Sequence, residues 1–376
     1  MRRSTRILTA VWFIAILAIP GVASIFSERE TIANRPVSEF PEADAEEILT
    51  GDFFENVDNF VEDRLSIRER AIETEATISF DVFSDSPNPE VYIGDDDFLF
   101  IAATFDRPCE SDAEGVWIEP STVTERIGAL RFELEENNAE FFFTVVPEKA
   151  WVYPDLLPDS VENRDCADEL VTDLRDELAG QTGYLDIFDL LLTEAPLTED
   201  RLYQRTDTHW NSFGRAVAAE FIIDAIEPGL YDQDALVDLG EVDKPEGGDL
   251  AQLLGIDVFD RDVRLQTTRE FITTETIEEV GAQRRWQSST ADTDAAPLIP
   301  GRTIVVTDSH LNTSASFFNQ YFEDLHVIRW QDINDDNVEA AIVEADRVIM
   351  SFTSRFSAVR YSGIPQLLTR HLRANQ

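Results

Sequence analysis

Lysine is almost missing from this sequence: Lys149 and Lys244 are the only two in 376 residues, and Asp plus Glu number 75 against 30 Lys plus Arg, a formal net charge of -45. A chain so short of positive charge has little with which to neutralise phosphates, which excludes direct nucleic-acid binding. Cysteine and histidine are scarce as well, with two and four residues. None of them falls at metal-ligand spacing, so no metal and no cofactor is expected. There is no glycine-rich phosphate loop and no internal repeat. The acids are not confined to a tail, and 10% of the residues are aromatic, which excludes a disordered acidic segment. Carboxylates spread along the whole chain instead fit a halophilic protein, because at 1 M salt the Debye length falls to about 3 Å and self-repulsion is screened.

Hydrophobic residues make up 43% of the chain, enough for one large core. After Met1-Arg2-Arg3-Ser4-Thr5-Arg6, the run from Ile7 to Phe26 carries no charge. As a helix it spans about 30 Å, the thickness of a bilayer core. Arginines before it and the acidic body after it put the N-terminus inside and the rest outside the membrane. Residues 1 to 26 are therefore read as a single-pass anchor. Cleavage near Val22-Ala23-Ser24 is the competing reading and gives a secreted protein. Residues 27 to 50, with Pro36 and Pro41, form a tether, and residues 51 to 376 form the main domain.

That domain opens with helical spacing between Gly51 and Phe83 (Phe53, Phe54, Val57, Phe60, Val61, Leu65). Val91 to Ile101 is strand-like about the Gly94-Asp95 turn. Strands and helices then alternate: strand 141–146, helix 168–178, strand 184–187, helix 213–226, strand 303–306, helix 314–322, strand 325–330, helix 337–344 and strand 347–351. The alternation predicts an α/β fold, doubly wound, with a largely parallel sheet and helices on both faces. An irregular insertion at about 230–300 interrupts it. Within it, Thr267 to Glu279 is expected to form an antiparallel hairpin or a lid and Ser288 to Ala296 a mobile loop, and the irregular segment from Leu230 to Pro300 is expected to cover the site. Cys109 and Cys166 both follow the export segment; an oxidising exterior would pair them, and two buried free thiols are the alternative.

Two short stretches carry chemistry. Asp207-Thr208-His209-Trp210 sets a carboxylate two residues from an imidazole, and Val305-Val306-Thr307-Asp308-Ser309-His310 ends an apolar strand in a serine. A serine hydroxyl becomes a nucleophile when a base takes its proton, and the base needs an acid to fix its tautomer. Ser309 is thus the candidate nucleophile, His209 the base and Asp207 the acid. Plain readings stand beside these: Asn211 or Ser212 caps a following helix, and Ser309 caps another. His310 and His326 are lesser candidates for the base. Asp249, in the Gly247-Gly248-Asp249-Leu250 turn, is a second-choice acid partner. Arg355 is a candidate for substrate or oxyanion contact, with a surface salt bridge as its plain explanation.

From about residue 50 to about 356 the chain resembles the alginate O-acetyltransferase family of SGNH-hydrolase-like proteins. Asp207-Thr208-His209-Trp210 is similar to the family's Asp-x-His-Trp box and Thr307-Asp308-Ser309 to its Gly-Asp-Ser box. Glu62 to Arg68 looks like its amphipathic helix and Ile93 to Phe100 like its Gly-x-x-Gly-Trp-Leu-Phe strand. Val146-Pro147-Glu148-Lys149 with Tyr153-Pro154 and Leu157-Pro158 looks like its Pro-x-Lys segment, and Gly248-Asp249-Leu250 like its Gly-Asp-Leu box. Thr307 departs from the usual glycine, and His310 stands where Phe is common. The resemblance implies an SGNH-hydrolase-like fold and an extracytoplasmic O-acyltransferase that moves acetyl onto a surface or secreted polysaccharide through acyl-Ser309. It implies two partners, the polysaccharide acceptor and an integral-membrane acyltransferase that supplies the acyl group. The same triad serves a carbohydrate esterase, and a catalytically silent glycan-binding or assembly protein is a third reading. The oxyanion hole is expected at the backbone N–H groups of Ser309 and its neighbours.

Overall fold

The computed structural model describes residues 31–32, 35–36, 53, 56–57, 74–80, 86–109, 118–197, 201–280, 284–333 and 336–374. The chain divides into two units, Met1–Pro87 and Asn88–Gln376. In the first, Thr31–Ile32 pairs antiparallel with Arg35–Pro36, and residues 74–80 are helical. The Ile7–Phe26 run and the Glu62–Arg68 segment lie outside the described residues. Among those described, no helix is long and apolar enough to cross a membrane.

In the second unit the strands are β1 (Val91–Ile93), β2 (Leu99–Ile101), β3 (Glu140–Val146), β4 (Leu236–Lys244), β5 (Asp260–Thr267), β6 (Ile272–Val280), β7 (Arg284–Ala291), β8 (Ile299–Thr307), β9 (Phe322–Arg329) and β10 (Arg347–Thr353). The helices are α1 (Ala103–Cys109), α2 (Pro120–Glu136), α3 (Lys149–Val152), α4 (Arg164–Ala179), α5 (Ile187–Glu194), α6 (Ser212–Ile226), α7 (Asp249–Leu254), α8 (Ser309–Thr313), α9 (Ala315–Phe318), α10 (Asp336–Val343) and α11 (Ser354–Ala374). A six-stranded sheet runs in the order β3-β10-β8-β9-β7-β6. β3, β10, β8 and β9 are parallel, and β7 and β6 close the far edge antiparallel.

Side chains on a strand alternate faces, and here both faces are apolar. Ile304, Val306, Val348, Met350, Phe141 and Phe143 point to one side, where α2, α4 and α11 cover them with residues such as Leu130, Leu174 and Leu368. Val305, Ile349 and Val327 point to the other, under Leu191 of α5 and Ile222 of α6. Every residue of β10 is buried, as a parallel strand covered on both faces requires. The carboxyl ends of β3, β8 and β10 lie at one end of the sheet, so the turns that follow them meet there.

Several expectations change. Tyr184 makes only a single bridge to Phe143. Asp186 accepts from Asp189 N at 3.0 Å and caps α5, turning the expected strand 184–187 into a helix start. The helix expected over 314–322 breaks into α9 and a 3-10 turn, preceded by α8. In the insertion, β4 and β5 form an antiparallel ribbon, and the Thr267–Glu279 run supplies β6, which joins the main sheet through β7. Ser288 to Ala291 is the end of β7 rather than a loop, held by Ser289 Oγ to Thr274 Oγ1 at 2.8 Å and to Asn319 O at 3.1 Å. Ser288 is in register with Asp324 near the start of β9. The segment therefore lies at the opposite end of the parallel strands from Ser309 and does not cover it. A concavity of about 1170 Å³ at that far end includes Trp286, Asp324 and His326.

Cys109 and Cys166 are disulfide-bonded, tying the end of α1 to α4. On the chain-entropy model this crosslink contributes about 4 kcal/mol.

Candidate functional site

Asp308 stands between the end of β8 and the candidate nucleophile. Its Oδ1 accepts from His310 N at 3.0 Å, capping α8, and its Oδ2 accepts from Thr353 N at 2.7 Å. One carboxylate thus fastens the end of β8 to the end of β10. The capping role belongs to Asp308, which leaves Ser309, the first residue of α8 and partly exposed, free of it.

The loop before α6 serves two purposes. Asn211 Oδ1 accepts from Phe213 N and Gly214 N at 3.0 and 3.1 Å, so the plain capping reading of this segment is correct. Two residues earlier, His209 Nδ1 lies 2.7 Å from Asp207 Oδ1, which also accepts from His209 N at 2.9 Å. His209 Nε2 is buried and has no hydrogen-bond partner among the described residues. Burial pushes the Asp207 carboxyl up, but the hydrogen bonds and charge of His209 outweigh it and hold the group well below the usual carboxylate range.

The two loops are locked together through His310. Trp210, fully buried, donates from Nε1 to His310 O at 3.0 Å, and His310 Nε2 faces Thr208 O at 3.2 Å. Facing a carbonyl, Nε2 carries the proton. The His209 and His310 rings lie 4.8 Å apart between centroids. This places His209 beside the turn that carries Ser309. Burial, with His209 and Arg355 nearby, pushes His310 well below its ordinary value, so it stays neutral. At 1% exposure His310 is a buried brace and offers no surface to substrate.

Asp249 comes within reach of His209 but is the more distant acid. Its Oδ2 is 3.6 Å from His209 Nδ1, against 2.7 Å for Asp207. Its oxygens instead accept from Thr208 N at 2.7 Å and Thr208 Oγ1 at 2.5 Å, steadying the loop from the side. The turn gets this close because Gly248 lacks a Cβ: one built there would sit 2.4 Å from Asp207 Cβ. Asp207, His209 and Asp249 are spaced closely enough to hold a cation. Each of these carboxylate oxygens also accepts a hydrogen bond, Asp207 Oδ2 from Asp249 N at 3.3 Å included.

The remaining candidates separate. His326 pairs with Asp324 at 2.7 Å and is level with Ile304, well short of Ser309 along the sheet. Arg355 makes a buried salt bridge. Its Nη1 lies 2.6 Å from Glu148 Oε2, with the two side chains 10% and 1% exposed. Burial raises the Glu148 carboxyl, Arg355 pulls it back and Asp308 pushes it up again. Lys149, which sequence reasoning passed over as a family marker, is 3% exposed and donates from Nζ to the carbonyls of Gln204, Arg205 and Asp207 at 3.0, 2.9 and 2.8 Å. The signal available was its rarity, one of two lysines, in an apolar stretch.

Residues 91–309, which include Asp207, His209 and Ser309, match the family model described as SGNH hydrolase-like domain, acetyltransferase AlgX. "Probable alginate O-acetylase AlgJ" of Pseudomonas syringae pv. tomato is 28% identical over 263 residues, covering 68% of this chain and 62% of that protein. The protein of the same name from Pseudomonas putida is 24% identical over 68% of this chain and 63% of its own length. The chain thus spans less than two thirds of these curated relatives. Of the solved structures, the O-acetyltransferase domain of Pseudomonas putida AlgJ aligns with a TM-score of 0.47 and 18% identity, covering 76% of this chain and 99% of that one. Bacillus cereus PatB1 with a sulfonyl adduct aligns with a TM-score of 0.49 and 14% identity, over 72% and 97%. With more than half of its 376 residues inside the matched stretch, the chain belongs to the family of SGNH hydrolase-like, AlgX-type acetyltransferase domains.

Proposed function

We propose that this protein is an extracytoplasmic O-acetyltransferase that moves acetyl groups onto hydroxyls of a surface or secreted polysaccharide. The observation that carries the reading is His209: Asp207 holds its Nδ1, and its Nε2 is left without a partner beside the turn that bears Ser309. In the reaction, Nε2 takes the Ser309 proton as Oγ attacks the acyl carbonyl, and returns it to the donor's leaving group. The same nitrogen then takes the proton of a sugar hydroxyl, whose oxygen attacks the acyl-serine, and hands it to Ser309 as Oγ departs. His310 N–H is occupied by Asp308, so in this reading the oxyanion is met by the Ser309 N–H rather than by that of His310.

The reading includes membrane attachment through Ile7–Phe26, with an integral-membrane acyltransferase supplying the acyl group from the other side. The arginine-flanked uncharged run supports this, as does the Cys109–Cys166 disulfide, which suits an oxidising exterior. It also includes life in concentrated salt, supported by the net charge of -45.

Turnover of a small activated acetyl ester tests the triad. Ser309→Ala and His209→Ala are each expected to lower it by several orders of magnitude with the fold intact, and near wild-type turnover in either would reject the assignment. Adding an oligosaccharide should yield acetylated sugar faster than free acetate. If many acceptors give only acetate while acetylated glycans are stripped, the protein is an esterase.

A further inference from the structure

We infer that Lys149 is the positioning residue of this site: its ammonium is the post around which the loop from Gln204 to His209 is wrapped. The inference rests on the roles given above to Asp207, His209 and Ser309. An ammonium has three N–H donors and no acceptor, and Nζ meets three carbonyls, of Gln204, Arg205 and Asp207, so every donor has a partner. Below it lie the faces of Phe98 and Phe100, with ring centroids 4.7 and 5.6 Å away, which favour a cation. Three carbonyls drawn from four consecutive residues converge on one point only when a donor sits there. Without it their like-signed oxygens face each other in a buried place, and the backbone must turn them elsewhere. The carbonyl of Asp207 belongs to the residue whose carboxylate holds His209, so that turn carries the acid away from the base.

The neighbouring residue extends the same logic to the nucleophile. Tyr203 Oη donates to Pro147 O. Glu148 binds Arg355, two residues beyond Thr353, whose N–H is held by Asp308 beside Ser309. One turn after β3 therefore registers the base loop through Lys149 and the nucleophile turn through Glu148. Burial pushes Lys149 down to about 7 against the pull of Asp207, foremost among the groups opposing it; the ammonium is read from the three carbonyls on Nζ, since a neutral amine has a donor for only two of them.

The test uses the full protein in concentrated salt with two readouts: kcat and KM on a small activated acetyl ester, and the downfield proton resonance of His209 Nδ1–H shared with Asp207, followed in histidine-labelled protein. Lys149→Met keeps length and apolar bulk and removes the donors. It is expected to lower kcat about 100-fold, the cost of displacing a catalytic group by about 1 Å, with KM within about twofold, and to abolish the resonance. Propylammonium ions should restore part of both in Lys149→Ala. Should Lys149→Met not fold, Lys149→Gln, which keeps two N–H donors, is expected to lower kcat about tenfold and weaken the resonance. A folded variant with kcat near wild type and the resonance intact overturns the inference. Measuring the resonance in Ser309→Ala with and without Lys149→Met decides the role of Lys149 even if Ser309 proves not to be the nucleophile.

Discussion

Arg355→Met is the sharpest probe of how the strand ends are held. It removes the cation 2.6 Å from Glu148 and leaves a carboxylate at 1% exposure without its ion-pair partner. Removing one member of a buried pair costs about 3–5 kcal/mol. For a domain of this size each kcal/mol moves the melting temperature by about 2–4 °C, so a drop of about 10 °C is expected at pH 8. The pH dependence follows from the direction of the shift. Burial already raises Glu148, and Arg355 was the main influence lowering it; without Arg355 the folded value rises further above the unfolded value of about 4.3. A raised carboxyl contributes stability below its unfolded value and loses it as pH climbs through the folded one. The deficit of Arg355→Met relative to wild type should therefore shrink from pH 8 to pH 5. Glu148→Gln/Arg355→Met, which buries no charge, should recover at least half of it. Circular dichroism melts at constant salt measure all of this. A single variant melting within about 2 °C of wild type at both pH values, or a double variant no better than the single, refutes the reasoning.

Two further outcomes are expected. Asp207→Asn should lower kcat by about 10⁴, since the amide favours the wrong imidazole tautomer, whereas Asp249→Asn should cost about tenfold because a carbonyl can still accept from Thr208 N; equal losses in steady-state kinetics would merge the two roles. The melting temperature should climb steeply between dilute buffer and about 3 M potassium chloride as the carboxylates are screened, and a melt indifferent to ionic strength would count against adaptation to salt.

Much of the sheet was legible because buried parallel strands are written as apolar runs, as in Ile304 to Val306 and Val348 to Met350. The candidate site was legible because its members sit at element boundaries, where Asn211 marks a helix start and an apolar strand runs out before Ser309. What escaped was tertiary. Nothing local says that the Thr- and Glu-rich β6 joins the main sheet, since its side chains are largely exposed and its partner β7 is Ser- and Arg-rich. Ser288 to Ala291 looks like a loop by composition and is a strand by pairing. Arg355 and Glu148 lie about two hundred residues apart in sequence, so an apparently ordinary surface arginine was a buried one.

The turn at Pro147-Glu148-Lys149 limits how this site can be rebuilt. A chimera that imports the Arg205–Asn211 loop of a relative brings the candidate acid and base but leaves behind the lysine that shapes them and the glycine, Gly248, that makes room for Asp207. Grafting must therefore move three separated segments together, or the transplanted loop will arrive with its chemistry intact and its aim lost.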